Sequence, residues 1–306
     1  DFEAINCLRD FAREADAFID ARAGERDKPF FLYLPLSSPH TPIVPSKPWQ
    51  GKSDLGKYGD FLMETDWVVG QVLQALDRHR LTENTIVIFA TDNGCSPAAK
   101  IPALVAKGHK PNADWRGHKA DIFEGGHRVP FLVRWPGRVK AGTSNPQTIC
   151  TADLFATVAD VIGKSTAIPS NAAEDSFSFL PALLGQAAAK RRPFTIHHSI
   201  NGSFAIRRGK WKLTLCPGSG GWSAPKPAAA KKNKSLPPVQ LYDLNSDPTE
   251  QNNLQAKHPK LVQDLVATLA RAIKNGRTTP GPIQPNEGHP NTFSQSVLAV
   301  FPSLGR

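Results

Sequence analysis

Methionine is almost missing from this chain of 306 residues: Met63 is the single copy, and the first residue is Asp1. Such a chain reads as an internal or processed piece, so the lack of a leader carries no information on targeting. Long apolar runs are missing too, and no stretch approaches the roughly 20 residues a membrane span needs. Cysteine is sparse. Cys7, Cys95, Cys150 and Cys216 show no Cys-x-x-Cys spacing, which argues against a zinc site or a disulfide framework. They read as small buried residues. Acidic residues vanish between Gln186 and Gln240, where eleven Lys and Arg stand without one Asp or Glu. The other 26 of the 37 basic residues face 27 acidic ones, so the net charge of +10 belongs to that one segment. No nucleic-acid-binding motif accompanies it, and Lys231, Lys232 and Lys234 lie in an Ala/Pro-rich stretch that reads as a solvated loop. A mild bias toward anionic substrates remains compatible with it.

What is present suits a globular protein with a real core: 40% hydrophobic and 21% charged residues. Residues 3–23 carry apolar positions at helical spacing, ended by Gly24. Pro29 to Leu36 is a continuous apolar run, the pattern of a strand buried on both faces. A long amphipathic helix is expected over about 55–80. Buried strands are expected at 85–91 and 131–135, and a helix at 151–163. Strands alternating with helices give the α/β class with a parallel sheet. Beyond about residue 190 the pattern changes to a hairpin around Asn201-Gly202, two further strands at 210–215 and 239–244, and a helix at 259–275 with Pro at its start and Gly276 past its end. Residues 216–238 read as a long loop. The expected organisation is 1–190, an α/β domain; 191–276, a small antiparallel α+β unit; and 277–306, an irregular Pro/Gly-rich tail.

In open α/β sheets, ligands bind beyond the carboxyl ends of the strands. The first apolar run is followed by Ser37-Ser38-Pro39-His40-Thr41-Pro42, where prolines stiffen the backbone around an imidazole that can serve as donor or general acid. A surface-loop histidine is the alternative. The second ends in Thr91-Asp92-Asn93-Gly94, whose carboxylate and carboxamide suit a hard cation such as Ca²⁺ or Mg²⁺. A turn in which Asp and Asn bond their own backbone is the alternative. A third segment, Trp115-Arg116-Gly117-His118-Lys119 followed by Glu124-Gly125-Gly126, offers an ammonium for an oxyanion; the alternative is a solvated basic loop.

Taken in order, these segments resemble the formylglycine-dependent type I sulfatases of the alkaline-phosphatase-like superfamily. The matching residues are Pro39-His40-x-Pro42, Thr91-Asp92-Asn93-Gly94, Gly117-x-Lys119 with Glu124-Gly125-Gly126-x-Arg128-Val129-Pro130, Ala205-Ile206-Arg207-x-Gly209-Lys210-Trp211-Lys212-Leu213, and Leu241-Tyr242-Asp243-Leu244 with Asp247-Pro248-x-Glu250 and Asn253-Leu254. The resemblance implies an alkaline-phosphatase-like sheet flanked by helices, with a smaller carboxyl-terminal subdomain. It implies that Asp92 and Asn93 ligate Ca²⁺ or Mg²⁺, and that His40 and Lys119 contact the sulfate, His40 being a candidate for protonating the leaving oxygen. It also implies a periplasmic or extracellular setting and a sulfated small molecule or glycan as partner. His198, just before the Asn201-Gly202 turn, is a candidate contact to the group bearing the sulfate, while His197 on the alternate face reads as structural.

One departure is plain. No Cys-x-Pro-x-Arg or Ser-x-Pro-x-Arg segment, the site of formylglycine formation in the family, occurs in the 306 residues. The expectation is a carboxyl-terminal portion of a sulfatase, with an incomplete amino-terminal part of the catalytic domain and no activity alone. Two other functions compete: a non-catalytic anion- or glycan-binding protein, and a phosphodiesterase or phosphatase of the same superfamily. The latter typically carries Asp-His-Gly where this chain has Asp92-Asn93-Gly94.

Overall fold

The computed structural model describes residues 2–186, 192–286, 297–298 and 301–302. The chain divides into two compact units: residues 1–89, 96–111 and 131–141 form the first, and 90–95, 112–130 and 142–306 the second.

The first unit is built on two helices, α1 (Cys7–Ala23) and α2 (Lys57–Arg78). Their apolar stripes meet in two clusters: Leu8, Ala12, Phe61 and Val68, then Ile19, Ala75 and Leu76. Two buried acids on α2 hold the preceding loop. Glu64 accepts hydrogen bonds from the backbone N–H and hydroxyl of Ser46 at 2.8 and 2.6 Å, and Asp60 accepts from the N–H groups of Gly51 and Ser53 at 2.9 and 2.7 Å. Strand β1 (Val87–Ala90), the short helix α3 (Ile101–Ala106) and strand β2 (Phe131–Arg134) follow, with β1 and β2 hydrogen-bonded neighbours.

The apolar run Pro29–Leu36 departs from expectation. It is extended but pairs with no strand among the described residues. Phe30, Leu32, Leu34 and Leu36 pack on the helix clusters, while Phe31 and Tyr33 are 74% and 76% exposed. An extended chain sends alternate side chains to opposite faces, and here one face alone is covered. Strands β1 and β2 are likewise half-buried rather than covered on both sides.

The second unit contains the short helices α4 (Glu124–His127), α5 (Asp153–Val161) and α6 (Leu180–Leu183), then four strands: β3 (Thr195–His198), β4 (Phe204–Arg208), β5 (Trp211–Thr214) and, after α7 (Pro227–Lys232), β6 (Gln240–Asp243). They form an antiparallel sheet in the order β3-β4-β5-β6. The turn between β3 and β4 is closed by Ser199 N–H to Ser203 O at 3.0 Å, with Gly202 at φ +79°. The final long helix, α8 (Pro259–Asn275), starts on Pro259 and stops at Gly276, whose φ of +60° glycine adopts freely. These bounds match the sequence pattern, apart from α7, which interrupts the expected loop. Of the expected tail, residues 287–296, 299–300 and 303–306 lie outside the described residues.

The sheet has two different faces because side chains alternate along each strand. Phe204, Ile206, Leu213 and Leu241 point toward Val262, Leu265, Val266 and Leu269 of α8, where Val297 joins them. Removing a fully buried side chain such as Leu265 costs about 2–5 kcal/mol. The opposite face carries Ala205 and Tyr242, packed on Ile122 and Phe123. That second face places the segment around Lys119 and Glu124.

Candidate active site

The strand end 91–95 is clamped to residues 112–126 by backbone contacts within the second unit. Gly94 N–H donates to Gly126 O at 3.1 Å, and Lys119 N–H donates to Cys95 O at 3.0 Å. Asn112 bridges the two segments: its Oδ1 accepts from Cys95 N–H at 2.7 Å, and its Nδ2 donates to Gly117 O at 3.3 Å. Glycine is required at the crossing. A methyl group on Gly94 would lie 1.7 Å from Gly125 O, and one on Gly125 would lie 2.4 Å from Gly117 O. Backbone approaches backbone too closely here for any side chain.

This clamp brings Asp92, Asn93 and Lys119 into one region of the second unit. The Asn93 Nδ2 group donates to Gly94 O at 3.2 Å, which leaves Oδ1 as an available acceptor. Asp92 is exposed, and no described residue hydrogen-bonds or ion-pairs its carboxylate. Two oxygen donors of this kind suit a hard cation, although among the described residues no three His, Cys, Asp or Glu side chains cluster to hold one. Lys119 is half-buried, and no described carboxylate pairs with it.

Beneath the clamp lies a network of buried charge that the sequence reading did not assign. Lys212, on the inner face of β5, is fully buried; its Nζ lies 3.0 Å from Glu124 Oε1 and 2.9 Å from Glu250 Oε1. Glu250 Oε2 also accepts from Glu124 N–H at 2.6 Å, and Arg207 reaches Glu124 Oε2 at 3.4 Å. Burial alone would raise the Glu124 carboxyl, but Lys212, Arg207 and Arg128 together hold it below the usual range. Glu250 has fewer cations, and burial pushes it up. Arg116 stacks over Phe123 at 3.8 Å and donates to Glu250 O at 2.6 Å. All the charged residues of this network occur in the motifs quoted above; the alternation of Trp211-Lys212-Leu213 was the one available signal that Lys212 faces away from α8.

The two histidines before the hairpin have different surroundings. His197 is in the sheet, with Nε2 3.2 Å from Ile122 O and its ring 4.2 Å from that of His127. Burial, with the charge of Lys212, lowers His127 to about 4 and His197 well below its ordinary value. Both rings are neutral at pH 7. His198 is exposed, its ring set edge-on against Phe204. Its hairpin is tied to the clamp, since Ile200 N–H donates to Ala120 O at 2.9 Å.

His40 lies in the first unit. It is exposed, and its Nδ1 donates to Thr41 O at 2.8 Å, which leaves Nε2 as the acceptor nitrogen. Its loop is anchored by the hydroxyls of Ser38 and Thr65, 2.6 Å apart, and by His40 N–H to Ser37 O at 3.2 Å.

The Sulfatase family model matches residues 8–164. The chain belongs to the sulfatase family. Among curated proteins, it is 35% identical over 267 residues to an N-acetylgalactosamine-6-O-sulfatase of Bacteroides thetaiotaomicron, covering 85% of this chain and 50% of that protein. It is 31% identical over 286 residues to human steryl-sulfatase, covering 87% of this chain and 47% of that protein. A solved Bacteroides thetaiotaomicron structure, described with the metabolism of multiple glycosaminoglycans, superposes with a TM-score of 0.77 at 32% identity, covering 89% of this chain and 55% of that chain. This sulfatase-family chain thus has the alkaline-phosphatase-like α/β fold, and it spans about half the length of the curated relatives it matches. Among the described residues, no helix is long and apolar enough to cross a membrane.

Proposed function

We propose that these residues belong to an enzyme that hydrolyses sulfate esters of aryl or carbohydrate substrates. The observation that carries this reading is the backbone hydrogen bond from Lys119 N–H to Cys95 O, which ties the backbone of Lys119, a residue that pairs with no carboxylate among the described residues, to the segment bearing Asp92 and Asn93. Asp92 and Asn93 would hold a Ca²⁺ or Mg²⁺ ion through oxygen, and such an ion would supply positive charge where negative charge develops as the ester breaks. Lys119 binds the sulfate as a point charge. His40, its Nδ1 N–H held on Thr41 O, contacts the sulfate through Nε2 and, in the imidazolium form that carries a second proton there, gives that proton to the leaving oxygen. His198 is left out of this assignment: it pairs with Phe204 on the α8 face of the sheet, opposite the face that packs on Ile122 and Phe123. The relatives named for N-acetylgalactosamine-6-sulfate and steryl sulfate favour a sulfated sugar or a sulfated ring alcohol as substrate. A periplasmic or extracellular setting goes with such substrates.

The nucleophile of this reaction is a formylglycine, and no sequence for its formation occurs in the 306 residues. Turnover by the covalent route therefore requires such a segment, and the 306 residues alone are expected not to hydrolyse an aryl sulfate. The test is hydrolysis of 4-nitrocatechol sulfate by the protein that joins these residues to a formylglycine-bearing segment. Lys119→Ala and Asp92→Ala should each lower kcat/KM by at least a hundredfold with the melting temperature little changed. Full activity in both variants would overturn the assignment.

A further inference from the structure

On a loop whose backbone is tied to Asp121 and pressed on Ala120, the structure presents a large aromatic side chain left open to solvent. Trp222 is 41% exposed, whereas residues 218–221 just before it are buried. The loop is fixed by Asp121, a fully buried carboxylate two residues from Lys119. Asp121 Oδ1 accepts from the N–H groups of Trp222 and Ser223 at 2.8 and 3.0 Å; Oδ2 accepts from the Ser223 hydroxyl at 2.6 Å and from His118 N–H at 3.0 Å. A single carboxylate group thus joins the backbone of Trp222 to that of His118, the neighbour of Lys119.

The loop is also tied to itself and to the hairpin. Ser219 O accepts from Ile122 N–H at 2.8 Å, Ser219 Oγ donates to Ser223 O at 2.7 Å, and Asn201 N–H donates to Gly220 O at 3.4 Å. A methyl on Gly221 would lie 2.4 Å from Ala120 O, so the loop is pressed directly on the segment that carries Lys119.

We propose that Trp222 is the platform of a saccharide subsite next to Lys119, taking a pyranose ring of a sulfated polysaccharide chain. The inference rests on the reading of Lys119 as a sulfate contact. An indole offers a flat apolar face with one N–H donor, which suits a sugar ring with an apolar C–H face and a polar edge. Its immobile backbone means that little order is lost on binding. The surrounding charge favours a polyanionic chain over a small neutral ring: Lys226, which precedes α7, and Lys231 and Lys232 at its end are exposed, inside the stretch of sequence without acidic residues.

The experiment is calorimetric titration of the 306-residue chain with a chondroitin sulfate tetrasaccharide, its desulfated form, and 4-nitrophenyl sulfate. Trp222→Ala should weaken both tetrasaccharides about tenfold, the size of one good aromatic contact, and leave 4-nitrophenyl sulfate unchanged. Trp222→Phe should restore most of the loss. Lys119→Ala should weaken the sulfated form and 4-nitrophenyl sulfate, and spare the desulfated sugar. Wild-type affinity in Trp222→Ala, an equal loss for 4-nitrophenyl sulfate, or no tetrasaccharide binding by the wild-type chain would each overturn the platform. If Lys119→Ala has no effect while Trp222→Ala weakens both sugars, the sulfate contact falls and the platform stands.

Discussion

Replacing Lys212 with Met tests whether buried charge, rather than packing, holds the clamp together. The Lys212 ammonium is fully buried between Glu124 and Glu250, at 3.0 and 2.9 Å. At an effective dielectric near 20, each contact is worth roughly 5 kcal/mol of attraction, most of it cancelled by desolvation of the ions. Methionine keeps the length of the side chain but removes the charge, leaving two carboxylates facing each other in a buried space. A broken buried pair of this kind costs about 3–5 kcal/mol, read as a lowered midpoint in guanidinium unfolding followed by circular dichroism. The loss should depend on pH in a definite sense. Without the ammonium, at least one carboxyl is pushed up in the folded state, so the folded variant holds a proton that the unfolded chain releases above its ordinary carboxyl range near 4.3. The deficit should therefore shrink as pH falls toward that range and be greatest at pH 7 or above. Adding Glu250→Gln to Lys212→Met should recover part of the loss, as expected for coupled neighbours. A Lys212→Met cost below about 1 kcal/mol at pH 7, or a cost independent of pH, would refute the charge argument.

Three further outcomes follow from geometry. Because His127 titrates at about 4 when folded and near 6.5 when unfolded, its contribution is complete above pH 6.5 and is lost as pH falls toward 4. That loss approaches about 3 kcal/mol, and denaturation of the wild type and of His127→Asn between pH 4 and 7.5 should show the slope flattened in the variant. Gly94→Ala forces a methyl onto Gly125 O and should lower the melting temperature by several degrees, equivalent to about 1–3 kcal/mol, whereas Gly70→Ala, in α2 with open space around it and an ordinary φ, should not lower it. For the 306-residue chain, calorimetric titration should show Ca²⁺ binding no tighter than about millimolar, since two oxygen donors fall short of the roughly six to eight the ion takes; tight binding abolished by Asp92→Ala would refute a site of two donors.

The helices and the antiparallel sheet were legible because each carries its own period. The α8 stripe and its Pro259 and Gly276 ends gave the observed helix, and Asn201-Gly202 gave the hairpin turn. Pro29–Leu36 was misread because a run of apolar residues reports hydrophobicity without reporting whether both faces are covered. The approach of Lys119 to the Asp92-Asn93 strand end was not readable from composition or period; resemblance to a family suggested it, and a backbone hydrogen bond to Cys95 accounts for it. The Glu124–Lys212–Glu250 network escaped notice because a charged residue in a strand is ordinarily assigned to solvent. Its partners lie 88 and 126 residues apart, beyond the reach of any local pattern.

Those separations also set a clock on synthesis. Glu124, which opens the turn carrying Gly125 and Gly126, is secured by Lys212 and Glu250, whose contacts span 88 and 126 residues. A chain emerging at about 5–20 residues per second exposes Lys119 and the Asp92-Asn93 end about ten seconds before Glu250 arrives. Until Lys212 emerges the turn has neither its ammonium nor its second carboxylate, and from then until Glu250 arrives it has the ammonium alone. The backbone contacts that join Lys119 to the Asp92-Asn93 end lie within residues 94–126 and can form early, whereas the buried charges beneath them are completed last.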